Sequence, residues 1–186
     1  MDIYSIGHST HSSEEFIDLL KTYKIETLVD IRSYPGSKHM PQFNKGNIEN
    51  WVPNHGIRYL HMPELGGRRK KNCEIDESLI DGWRNTSFRN YAAYSLTEDY
   101  ENGINDLMAI EGKERVCYMC SESVPWRCHR LIVSNTLALK GVTVHHIMTE
   151  KKIILHEIGM YGAKAVIEGS TIIYPKQQAD TEQPAE

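Results

Sequence analysis

The sequence predicts an α/β fold, a single three-layer domain in which a mainly parallel sheet is flanked by helices. Two observations carry that expectation. Short β-branched runs alternate with helix-patterned segments along the chain, and 186 residues suffice for one good core but not two. Hydrophobic residues at 40% and charged residues at 25% are ordinary proportions for a globular chain and argue against wholesale disorder or a fibrous repeat.

The first segment, DIYSIG, reads as a strand. In the segment that follows, Ser12 and Glu15 form a capping box, and Phe16, Leu19, Leu20 and Tyr23 recur at helical spacing to give one apolar face. TLVDIRSYPGS begins as a buried strand and closes at Pro35 and Gly36. A short helical stretch around Asn47 to His55 leads to a third strand in GIRYLHM. The long irregular segment PELGGRRKKNCEIDES comes next, and loops of that length inside a compact domain are usually functional or mobile. Two helices are predicted over Leu79 to Tyr94 and Glu98 to Ile110, the second capped by Thr97. ERVCYM reads as a buried strand, RCHRLIVSNTLALKG as a helix ended by Gly141, and VTVHHI as another strand. Glu150 to Tyr174 is expected to add a short helix and an edge strand. The tail, PKQQADTEQPAE, is polar and free of aromatics, so the domain is assigned to residues 1–174 and residues 175–186 to a disordered tail.

A formal net charge of −4 gives no global attraction to nucleic acid or acidic lipid, so any anion site must be local. No apolar run approaches the ~20 residues that span a bilayer, and MDIYSIGHST lacks the charged and apolar regions of a signal peptide. A cytoplasmic location with no membrane partner is expected, and with it four reduced cysteines rather than a disulfide framework.

In a parallel sheet, ligands bind outside the carboxyl ends of the strands. Those ends carry Gly7, His8, Ser9 and Thr10; Asp30, Arg32, Ser33 and Ser37; His61, Glu64, Gly66 and Gly67; and Cys120, Ser121, Glu122 and Arg127. Ser9 and Ser12 are read as helix caps, and Asp30 with Arg32 could equally form a structural ion pair. Arg68 to Lys71 is the one basic run, either a solvated loop or a flap carrying cations toward a phosphate.

The densest stretch is YMCSESVPWRCHR. Strand alternation sends Cys117 and Cys120 to opposite faces, and Cys117-x2-Cys120-x7-Cys128-His129 misses the usual paired zinc spacing. No metal is therefore expected, Cys117 is read as a small buried hydrophobe, and no cofactor is assigned. Cys120 begins a loop that ends at Arg127, Cys128 and His129, read as the start of a helix, where N–H groups and Arg127 favour a thiolate or a bound anion. The plainer alternative is that Cys120 and Cys128 simply pack beneath the loop.

Met119-Cys120-Ser121-Glu122 with Arg127-Cys128-His129-Arg130, Ser5 to Thr10, Val29-Asp30-Ile31-Arg32 with Pro35 and Ser37, and Pro63 to Gly67 together resemble the bacterial and archaeal family catalogued as domain of unknown function 488. The resemblance runs over about residues 1–147 and implies a compact α/β domain with its site at these same residues. The Cys120-to-Arg127 loop is similar in kind to the phosphate loop of tyrosine phosphatases. It departs from it in having six intervening residues instead of five, and no glycine.

The leading expectation is an enzyme, a cysteine-dependent hydrolase or transferase, acting on a small phosphorylated or nucleotide-like substrate. Arg32, Arg127 and Arg130, with Thr10 and Ser37, would hold the anion. Cys120 would be the nucleophile, and His8, Asp30, Glu64 or His129 the acid and base. The alternatives are a nucleic-acid binding or repair module using Arg68 to Lys71, and a thiol redox protein using Cys120 and Cys128.

Overall fold

A computed structural model describes residues 1–177. Its sheet holds β1 (Asp2–Gly7), β2 (Thr27–Asp30), β3 (Arg58–His61), β4 (Val116–Cys120), β5 (Thr143–Thr149) and β6 (Lys152–Leu155), in the order β3-β2-β4-β1-β5-β6. All neighbours are parallel except β6, which returns antiparallel along β5.

Helices α1 (Ser13–Thr22) and α2 (Lys45–Trp51) cover one face, with Phe16, Leu20, Phe43 and Ile48 packed on Leu28, Cys117 and Met119. Helices α3 (Thr86–Tyr94), α4 (Glu98–Glu111) and α5 (Arg130–Leu139) cover the other, where Tyr91, Tyr100, Leu131 and Val133 meet Val29, Val116 and Tyr118. The alternation of β4 thus sends Cys117 and Met119 to one core and Val116 and Tyr118 to the other. The Ser12–Glu15 capping box forms in full and fixes where α1 begins.

Three segments differ from the sequence expectation. The helix predicted from Leu79 starts only at Thr86, because the Asn85 side chain accepts from the N–H groups of Ser87 and Phe88; Glu77–Leu79 is a separate 3-10 turn capped by Asp76. Residues 150–174 contain no helix: Thr149 Oγ1 accepts from Lys151 N–H at the turn into β6, and β7 (Val166–Glu168) pairs with β8 (Thr171–Ile173) as a hairpin. The Arg127 backbone belongs to a 3-10 turn, Pro125–Arg127, and α5 begins three residues later.

Of the expected tail, residues 178–186 lie outside the described residues. Within it, Lys176 N–H donates to Asp81 and Gln177 Oε1 accepts from Lys164. Among the described residues no helix is long and apolar enough to cross a membrane.

Candidate functional site

The chain leaves β1 through α1 on one face and leaves β4 through α5 on the other, so β1 and β4 form a topological switch point. Gly7 and Cys120 are register partners there, and His8 N–H and Ser9 N–H donate to the carbonyls of Cys120 and Ser121. The Cys120 loop folds back so tightly that a Cβ on Gly7 would fall 1.7 Å from Glu122 O; only glycine fits. A cleft of about 400 Å³ opens at this point, walled by the loops after β1, β2 and β4, by Gly67 and Arg68, and by Ser87 and Phe88 at the start of α3.

Asp30 and Arg32 settle into one buried network. Arg32 Nε and one terminal nitrogen donate to Asp30 Oδ1 and Oδ2 at 2.9 and 2.6 Å, and Arg32 N–H donates to Oδ1 at 3.0 Å. Tyr59 OH donates to Oδ2 at 2.8 Å, and Arg32 also reaches Phe43 O. Burial alone would lower the Arg32 pKa, but its hydrogen bonds to Asp30 reverse the direction and raise it. Asp30 therefore sits behind the cleft wall with its oxygens engaged, and its part is to hold Arg32 rigid.

Arg32 presents its remaining nitrogen to His8 Nε2 at 3.2 Å. His8 Nδ1 lies 3.0 Å from Ser9 O, an acceptor, so Nδ1 carries the proton and Nε2 accepts from Arg32. Burial first, and Arg32 second, bring His8 down to about 4, which keeps its ring neutral at physiological pH.

The other side of the cleft gathers sulfur and imidazole. His129 Nε2 donates to Ile31 O at 3.1 Å, which leaves Nδ1 as a lone pair facing Cys128 Sγ at 3.6 Å and Cys120 Sγ at 3.8 Å. The Tyr91 ring packs edge-on against the imidazole, and Gly67 lies close to its Nδ1 and Cγ atoms. Beneath them Arg130 is 1% exposed and has no carboxylate partner among the described residues; it donates to Glu122 O, and its Nε has no partner there. A buried guanidinium needs a counter-charge, and the adjacent sulfur can supply it. Burial would raise the Cys128 pKa, but hydrogen bonding from Cys120 and the charge and N–H groups of Arg130 outweigh it and bring the thiol down to about 6. Cys120 moves the opposite way, pushed up to about 12 by its hydrogen bond to Cys128 and by burial. Of the two sulfurs, Cys128 is the one that Arg130 N–H contacts, at 3.4 Å, and so the one better placed to carry negative charge.

His8, Arg32, Ser37, Cys120, Arg127 and His129, all singled out in the sequence, line this one cleft. Glu64 and Thr10 are exposed and do not line it; Glu64 instead uses its carbonyl to accept from Arg69 and Tyr94. Arg130 lies under the cleft and acts on Cys128 instead of forming part of the wall. Arg68, left undecided in the sequence, joins the lining, while Arg69 stacks on Tyr94 and Lys71 pairs with Glu77. Cys128 entered the sequence reading only as a redox or packing partner of Cys120, not among the expected catalytic residues. Its approach to Cys120 depends on how the intervening loop returns, which the sequence alone does not give.

A mainly parallel sheet flanked by helices on both faces, with a polar cleft at its switch point, defines a single α/β domain. A family model described as domain of unknown function DUF488 matches residues 12–137, more than half of the chain, and the protein belongs to that family. No curated protein and no solved structure matches. Gly7 and His8 precede the matched segment, yet the fold brings both to the site.

Proposed function

We propose that the cleft is the active site of an enzyme, a hydrolase or transferase, that acts on a small phosphorylated or nucleotide-like substrate. One observation carries this reading: Arg68 and Arg127, exposed and without a carboxylate partner among the described residues, share a cleft with Cys128 and His129. Glu122 is the only carboxylate in the lining, so an entering anion meets net positive charge. The Ser37 hydroxyl oxygen accepts from the N–H groups of His39 and Met40, which leaves its proton free to donate to the anion. Arg32, neutralised by Asp30, sets the shape of the wall more than its charge. The sulfur and imidazole groups at the base of the cleft supply the chemistry.

The nucleic-acid alternative draws less support, since Arg69 and Lys71 are already committed within the fold. Thiol redox chemistry draws on the closeness of Cys120 and Cys128, and predicts that mild oxidant converts both thiols to a single disulfide. The test of the main reading is peptide-mapped alkylation by iodoacetamide under reducing conditions, with and without inorganic phosphate or adenosine monophosphate. Either anion should slow labelling at Cys128 and leave the exposed Cys73 unchanged. Equal rates at Cys128 with and without both anions would refute the proposal.

A further inference from the structure

Resting on this reading of the cleft, we infer that Cys120, Cys128 and His129 form a three-ligand site for a tetrahedral divalent metal ion of the zinc type, with its fourth position open to the cleft. The three donor atoms lie within 4.8 Å of one another. With zinc bonds of ~2.3 Å to sulfur and ~2.05 Å to nitrogen, a tetrahedral sulfur-to-nitrogen edge is about 3.6 Å and a sulfur-to-sulfur edge about 3.8 Å. The observed sulfur-to-nitrogen edges are 3.6 and 3.8 Å. A thiol-to-imidazole hydrogen bond would draw one sulfur onto Nδ1 and leave the other apart, whereas here both stand off almost equally.

The surroundings fit as well. A metal-binding imidazole donates its other N–H to an acceptor that fixes tautomer and orientation, and His129 Nε2 does this to Ile31 O. Cys128 Sγ accepts from Arg130 N–H at 3.4 Å, as a ligating thiolate does. Gly67 keeps Nδ1 open, since a Cβ there would stand 2.5 Å from it. The ligands come from the end of β4 and the residues just before α5, both anchored in the core. Two thiolates and a histidine suit zinc, and three protein ligands with one open position is the arrangement of its catalytic sites. The sequence argued against a metal because Cys117 and Cys120 face opposite ways and because Cys117-x2-Cys120-x7-Cys128-His129 misses the usual paired spacing. Cys117 does lie in the opposite core, and the partner that converges on Cys120 is Cys128. Two thiolates neutralise the divalent ion, and the exposed Arg68 and Arg127 in the lining remain to meet an anion at the open position.

The test is a titration of the chelator-stripped, reduced, untagged chain with Co²⁺ alone. One equivalent should give thiolate-to-cobalt charge transfer and ligand-field bands of tetrahedral intensity, both erased by Zn²⁺. Cys128→Ser and His129→Asn should each lose the tetrahedral bands, while Cys73→Ser keeps them. Circular dichroism confirms that the variants are folded, and if one ligand variant fails to fold, the other carries the comparison. Absence of the bands in the wild type, or their retention in a folded ligand variant, overturns the inference. Inorganic phosphate added to the cobalt form should shift the bands. Cobalt binding with bands indifferent to phosphate and to adenosine monophosphate would overturn the anion reading and leave the metal standing. Phosphate protection of Cys128 in a chain that binds no cobalt would overturn the metal alone.

Discussion

Lowering the pH from about 7 to about 5 should strip several kcal/mol from the stability of this fold, and two buried histidines beneath α5 are the main reason. Asn135 Oδ1 accepts from Gly159 N–H, so His156 Nε2, 2.9 Å away, must donate to it. That leaves His156 Nδ1 to accept from His146 Nε2–H at 3.1 Å, and His146 Nδ1 to accept from the Ser5 hydroxyl at 2.6 Å. Each ring carries one proton, and a second on His156 would place its Nδ1–H against the Nε2–H of His146. Burial, then the neighbouring His156 and Arg130, bring His146 down to about 2, and burial brings His156 down to about 4. Both folded values lie below the unfolded value near 6.5. The unfolded chain therefore binds the extra protons, and the stabilisation is complete above about pH 6.5 and lost as pH falls toward the folded values. At about pH 5, some 1.5 units below the unfolded value, each ring costs about 2 kcal/mol, or about 4 kcal/mol for the pair. His8, brought down to about 4 by burial and Arg32, acts in the same direction. Against a typical domain stability of about 5–15 kcal/mol this is a large fraction. Urea denaturation at the two pH values measures it, and His156→Gln should shrink the acid loss by about 2 kcal/mol. A wild type equally stable at both pH values, or an unchanged acid loss in the variant, would refute the reasoning.

Two further outcomes follow from the site. Asp30→Asn leaves the Arg32 guanidinium buried without its counter-charge and should cost about 3–5 kcal/mol in urea denaturation; a loss below about 1 kcal/mol would contradict the assigned network. Gly7→Ala drives a methyl into the backbone carbonyl of Glu122 and should destabilise by about 1–3 kcal/mol while displacing the Cys120 loop, read by a lowered urea midpoint and faster alkylation of Cys120. An unchanged midpoint would show that the loop does not press on β1.

Much of this was legible in the chain. The Ser12–Glu15 box and the helical recurrence of Phe16, Leu19 and Leu20 are local signals, and the structure keeps them because capping and amphipathicity act within a few residues. Strand position also told which residues reach the rim of the cleft, and His8, Arg32, Ser37, Cys120, Arg127 and His129 meet there. It could not tell which way a loop turns afterwards. Glu64 and Thr10 share the rim's sequence position but point to solvent, and Cys128 meets Cys120 only because the loop between them folds back over Gly7. Over residues 150–174 the expected strand content is present but the expected helix is not: β6, β7 and β8 are only three or four residues long, too short for a strand period to stand out in the sequence.

Anion binding in the cleft is measured most directly by calorimetric titration with inorganic phosphate and adenosine monophosphate, in the wild type and in Arg127→Ala. Arg127 is exposed and makes no side-chain hydrogen bond or ion pair among the described residues, so its removal should change stability by no more than about 0.5 kcal/mol. A charge-assisted hydrogen bond contributes about 1.5–3 kcal/mol, so the wild type should bind at one site and the folded variant at least about tenfold more weakly. Failure of both anions to bind the wild type, or equal affinity in Arg127→Ala, would contradict the account.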